Sequence, residues 1–127
     1  MKLSGQFIFT QEELEQKLVY WQKILKLQDW DISIEKKKMI GEDFEGNVQC
    51  FLESKEAFIS ILDEDYRPDD SLGEHDMEET LVHELLHLHL YPISEIAEDK
   101  PNYDLFEEQA INALAKAYVY LDRRGGE

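Results

Sequence analysis

The segment Thr80-Leu81-Val82-His83-Glu84-Leu85-Leu86-His87 places two histidines four residues apart with a glutamate between them. On a helix, side chains four apart lie one above the other on the same face, so His83 and His87 can converge on one cation. Two neutral imidazoles suit zinc, and a third protein ligand would complete a tetrahedral site with one open position for water. Glu84 sits about 100° round the helix from His83, which is wrong for an equal ligand. It is placed to take a proton from a water at the open position, the role of a general base in metal-assisted hydrolysis. The spacing alone recurs by chance, and its plainer reading is a helix with two surface histidines. The apolar company argues for a buried helix instead: Leu81, Leu85 and Leu88 fall on the face away from the histidines.

The third ligand must come from elsewhere. The run Phe106-Glu107-Glu108-Gln109-Ala110-Ile111-Asn112 opens a late helical segment. Glu108, Ile111, Ala115 and Tyr118 share a stripe at helical spacing, and a carboxylate on an otherwise apolar stripe is costly unless paired or bound to metal. Glu108 is therefore the leading candidate, with Asn112 four residues on and able to orient a ligand histidine from behind. Glu107, Asp99, Asp104 and His75 are the alternatives, and ordinary acidic decoration of a helix start is the plainer reading of Glu107 and Glu108.

These residues carry a resemblance. A His-Glu-x-x-His helix followed by a glutamate on a later helix resembles the gluzincins, the thermolysin-like group of zincin metallopeptidases. Glu108-x-x-x-Asn112 is similar to the Glu-x-x-x-Asp pattern of that group, with asparagine in place of aspartate. The run is also similar to small metallopeptidases of phages and mobile elements that act on repressors. The resemblance covers residues 80–115 and implies a zinc ion held by His83, His87 and Glu108, with Glu84 as catalytic base. It implies a protein or peptide substrate, and a tyrosine or histidine to steady the oxyanion. Tyr66, His75, Tyr91, Tyr103 and Tyr118 are available for that task. Zincins also use a strand before the active-site helix to pair with extended substrate, and Ala57 to Leu62 is the candidate here. The metzincin pattern would require glycine at 90 and histidine at 93, where this chain has Leu90 and Ile93. A two-histidine ribonuclease pattern is likewise broken by Glu84 and Ile93. A catalytically weak or inactive zincin-fold binding or regulatory module is the rival to a peptidase.

The elements that must position this group follow from periodicity and capping. Thr10 and Glu13 form a capping box, Phe9 and Leu14 a staple, and Leu14, Leu18, Trp21 and Leu25 continue at helical spacing, predicting a helix over 11–28. Residues 30–35 alternate apolar and polar, and 48–53 and 57–62 read as further strands. Gly41 and Gly46-Asn47 bracket a turn, and Arg67 to Gly73 reads as loop. Asp76 with Glu79 predicts the start of the histidine helix, which Pro92 should limit near Leu90, leaving 92–103 as a connection. Asp104 and Glu107 are expected to cap a last helix ending at Arg123-Arg124 and Gly125-Gly126. The expected fold is a single α+β domain over 1–127: an N-terminal helix, a small three-stranded, mainly antiparallel sheet, the histidine helix and a C-terminal helix, a minimal zincin. Trp21, Trp30 and Tyr118 are expected in the core.

Composition narrows the function classes. The chain has 127 residues, 43% of them hydrophobic, which is enough for one packed core. A net charge of −16 repels phosphate backbones and argues against a nucleic-acid partner, though its plainer role is solubility. No apolar run approaches the ~20 residues of a membrane helix, and the first residues lack a leader's apolar stretch, so no membrane association and a cytoplasmic location are expected. The single cysteine, Cys50, excludes an internal disulfide and reads as a small buried hydrophobe.

Overall fold

A computed structural model of the chain describes residues 7–38, 45–66 and 75–125. The expected loop at Arg67 to Gly73, the turn glycine Gly41 and the terminal Gly126 lie outside these residues. Helix α1 spans Gln11–Ile24, strands β1, β2 and β3 span Asp31–Lys37, Gly46–Phe51 and Glu56–Leu62, and helices α2 and α3 span Met77–Ala97 and Tyr103–Gly125. A short 3-10 turn, Glu64–Tyr66, follows β3. The result is α+β, as the patterning predicts.

Helix α1 begins where its capping residues say it should. The Glu13 amide donates to Thr10 Oγ1 (3.1 Å), and the Thr10 amide donates to Glu13 Oε1 (2.9 Å). Its buried stripe is Leu14, Leu18 and Trp21. Helix α2 is capped by Asp76, whose carboxylate accepts from the Glu79 amide (3.1 Å). Leu81, Val82, Leu85, Leu86 and Leu88 of α2 join Ile59 and Ile61 of β3 and Ile111, Ala115 and Val119 of α3 in one core.

The sheet is three-stranded, as expected, and mixed: one of its two pairings is antiparallel and the other parallel. Its order is β1-β3-β2, with β3 parallel to β1 and antiparallel to β2. The centre goes to the strand with the longest apolar run: Ala57 and residues 59–62 are buried, and on the other face Phe58 stays 49% exposed. Strand β2 is left at an edge.

Three expectations are corrected. Helix α2 does not stop near Leu90 but continues through Pro92 to Ala97. Proline removes one backbone donor, yet the Ser94 hydroxyl lies 3.0 Å from the Leu90 carbonyl oxygen and donates its proton to Glu107 of α3, so packing between the two helices sustains the last turns. Helix α3 starts at Tyr103, so Asp104 lies inside its first turn and does not cap it, and the Phe106 amide bonds to the Asn102 carbonyl (3.1 Å). Tyr118 is 40% exposed, because the buried stripe of α3 runs through Ile111, Ala115 and Val119. Trp21 and Trp30 are in the core. No helix among the described residues is long and apolar enough to cross a membrane.

Helices α2 and α3 pack antiparallel, and a charged clamp locks the end far from their connection. The Arg123 guanidinium donates to both Asp76 oxygens (2.9 and 3.0 Å) and approaches Glu78 Oε1 (3.4 Å). Glu78 is 3% exposed and also accepts from Trp21 Nε1 (2.7 Å), with Lys17 Nζ at 3.2 Å. A buried carboxylate held by three elements resists their separation. Replacing Arg123 with leucine should destabilise the fold by about 1–3 kcal/mol, discounted for the partial exposure of the arginine. Urea midpoints measure it, and a loss below about 0.5 kcal/mol would reduce the clamp to surface decoration.

Candidate metal centre

Helix α2 presents His83 and His87 on the face opposite its buried leucines, towards α3, with imidazole centroids 5.0 Å apart. The antiparallel pairing of the two helices brings Glu108 to both rings. Its Oε2 lies 3.3 Å from His83 Nε2, and its Oε1 lies 2.9 Å from His87 Nε2. His83, His87 and Glu108 thus offer three ligand atoms within 4.8 Å of one another. Ligands about 2.0–2.1 Å from a tetrahedral zinc ion would stand roughly 3.3 Å apart, so the residues fit such a cation in number, type and size. The other such group among the described residues is the acidic run Asp63, Glu64 and Asp65, which has no imidazole.

Glu107 points elsewhere. Its Oε2 accepts from His87 Nδ1 at 2.8 Å, and the Ser94 hydroxyl donates to its other oxygen. Tyr103 also hydrogen-bonds it. Burial alone would raise its carboxyl, but these three donors outweigh burial and hold it below the ordinary value. A carboxylate on Nδ1 fixes the ring's tautomer and turns Nε2 towards the ligand cluster. Adjacent glutamates therefore divide the work. Glu108, with its side chain 50% exposed, joins the two Nε2 atoms, and Glu107, at 11%, braces His87 from behind. Asn112, four residues beyond Glu108, lies within interaction distance of the His83 ring. Burial pushes His83 below its ordinary pKa, against the pull of Glu108.

Of the alternatives to Glu108, neither Asp99, Asp104 nor His75 belongs to the cluster. His75 is buried ahead of α2. His89 bonds through Nε2 to the Leu25 carbonyl at 2.6 Å, on another face of the helix. Of the aromatic residues considered for the oxyanion, Tyr91 lines the cavity beside His87.

Glu84 is 6% exposed and borders the cluster from the side of β2. Burial, reinforced by the charge of Glu108, raises its carboxyl to about 8. Gly46 of β2 makes this approach close: a Cβ there would lie 2.5 Å from Thr80 Cγ2 and 3.1 Å from Glu84 Oε2. Sequence reading placed Gly46 in a turn and Cys50 in a strand without a role. The structure brings both to the wall facing the histidines, and Cys50, half-buried, has its thiol raised to about 11 by burial and by Glu84 and Glu107. Only the register of β2 against β3, which turns Gly46, Val48 and Cys50 to the helix side opposite Ile61, Ile59 and Ala57, reveals this.

No protein-family model, curated protein or solved structure matches the chain.

Two outcomes test this geometry. Protein loaded with zinc should bind about one equivalent, which Glu108→Ala should largely lose, whereas Glu107→Gln should weaken affinity about 10–100-fold. Elemental analysis and competition with a chromophoric chelator read both, and unchanged affinity in Glu108→Ala would remove Glu108 from the ligand set. In metal-free protein, the raised Glu84 carboxyl stabilises the fold fully only below its unfolded value. That stability is lost as pH rises towards about 8, at up to roughly 1.4 kcal/mol per pH unit. Metal-free wild type should therefore lose more thermal stability between pH 5 and 8 than Glu84→Gln does, and parallel melting curves would contradict the assignment.

Proposed function

We propose that the protein is a zinc-dependent peptidase whose general base is Glu84. The observation that carries this reading is the convergence of His83 Nε2, His87 Nε2 and Glu108 on one point with the buried carboxylate of Glu84 alongside. A divalent cation held by the three ligands would polarise a scissile carbonyl and lower the pKa of nearby water. Zinc is favoured by the two imidazoles and one carboxylate, a donor set that other divalent ions also accept.

Glu84 takes the proton of the attacking water and passes it to the leaving amine. Its environment suits the exchange: burial holds the proton on Glu84 well above the usual carboxylate range in the metal-free protein, and a neighbouring cation favours its release. Glu107 holds the His87 ring in place, and Asn112 lies beside the His83 ring. Tyr91, one helical turn beyond His87, lines the same cavity and is the sequence candidate best placed to steady the oxyanion.

The strand expected to pair with substrate is reassigned. Ala57 to Leu62 forms the centre of the sheet, hydrogen-bonded on both sides. Strand β2 lies at the edge and passes directly in front of Glu84, so an extended peptide would pair with Gly46–Phe51.

Zinc-loaded wild type should cleave an unstructured protein such as β-casein, and Glu84→Gln should lower the rate about 10²–10⁴-fold while retaining its zinc. Cleavage that persists in Glu84→Gln would remove the general base from the mechanism. A wild type that binds zinc and unfolded chains but cuts none would favour a binding module on the same fold.

A further inference from the structure

The turns of α2 beyond Pro92 carry to the metal centre a side chain that sequence reading gave no role. His83, His87, Leu90 and Ser94 follow one another at spacings of four, three and four, so they line one stripe of α2. The first two are the imidazoles of the candidate site. Ser94 stands two turns beyond His87, on the part of the helix that runs past the proline. Its hydroxyl donates to Glu107 Oε1, while the other oxygen of that carboxylate accepts from His87 Nδ1 at 2.8 Å. Tyr103, the first residue of α3, interacts with both Ser94 and Glu107. The Glu107 side chain is 11% exposed, so little water competes for it. A serine within a helix ordinarily turns its hydroxyl back to the carbonyl four residues before, and the Leu90 oxygen lies 3.0 Å away. The hydroxyl has a single proton, however, and the carboxylate is the stronger acceptor.

We infer that Ser94 is a positioning residue for the metal centre: it holds Glu107 on His87 Nδ1, and so aims His87 Nε2 at the point shared with His83 and Glu108. This rests on the metal-binding part of the reading above and not on peptide hydrolysis. Glu107 and Glu108 are neighbours on α3 with the same side chain, and both reach His87, Glu107 at Nδ1 (2.8 Å) and Glu108 at Nε2 (2.9 Å). A glutamate has several side-chain torsions, and fixing them costs conformational entropy. A bond to His87 alone leaves the carboxylate free to turn about it. A second donor on the far oxygen fixes its plane and offsets that cost. With the carboxylate fixed, the imidazole that donates to it is fixed as well, and its Nε2 keeps one direction. The same contact gives a reason for a helix that does not stop at its proline. Ending α2 near Leu90 would take Ser94 off the stripe and leave Glu107 with one partner fewer.

The test compares Ser94→Ala and Ser94→Thr with wild type, each alone and in a Glu107→Gln background. Zinc affinity is read by competition with a chromophoric chelator. The His87 Nδ1–H is followed by its rate of solvent exchange in NMR spectra of protein carrying ¹⁵N-labelled histidine, metal-free and zinc-loaded. Ser94→Ala should lower zinc affinity about 10-fold and speed the exchange of that proton. Ser94→Thr, which keeps a hydroxyl, should restore both. In the Glu107→Gln background, Ser94→Ala should change affinity by less than about 2-fold, because the two side chains act in series. A serine that only supports the fold would lower the melting temperature of metal-free protein and leave affinity and exchange alone, and that outcome overturns the inference. So does a loss of affinity that is as large in the Glu107→Gln background as in wild type. Zinc binding that is indifferent to Ser94 sinks the inference and leaves the metal site standing. Zinc binding that depends on Ser94, in a wild type that cuts no peptide, upholds the inference and sinks the peptidase reading. A wild type that binds no zinc sinks both.

Discussion

Four ionisable side chains meet where α2 packs against α3 beside β2, and the cost of burying them shapes everything around it. His83, His87 and Glu84 are largely withdrawn from water, and Glu108 lies within 3.3 Å of both imidazoles. Such a group is stable only if its charge is divided or neutralised. Without a cation the protein divides it by protons: the His83 ring is driven towards its neutral form and Glu84 holds its proton to about 8. A divalent ion would favour the neutral His83 ring further and draw the proton off Glu84.

The surrounding structure keeps this cluster from relaxing. Glu107 and Asn112 contact the two rings, and both come from the same helix as Glu108. A shift of α3 by one residue would therefore disturb Glu108 and both of these contacts together. The Arg123 clamp at one end of the helix pair and the Ser94–Glu107 contact near the other limit that sliding. Stability and site geometry depend on the same helix-to-helix register.

Strand β2 contributes in another way. It is short, at the edge of the sheet, and passes close to α2 because Gly46 has no side chain to hold it off. That approach shields Glu84 from water, and the wall that desolvates Glu84 also borders the cavity beside the histidines.

Much of this was legible in the residues themselves, where the governing interactions are local. Thr10 and Glu13 start α1, Asp76 starts α2, and both act through hydrogen bonds to amides three residues away. His83 and His87 share a face because the helical repeat puts them there, and Glu108 stood out as a carboxylate on an otherwise apolar stripe, although its side chain is 50% exposed. Other features depend on contacts between segments distant in the chain, for which periodicity has no sign. The same alternating pattern serves a parallel or an antiparallel neighbour, so the place of β3 at the centre and of β2 at the edge was decided by packing. Pro92 remained inside α2 because α3 supports the turns beyond it. Glu107 and Glu108 are adjacent and chemically identical, and only the antiparallel docking of α3 on α2 gives one to the ligand cluster and the other to the back of His87.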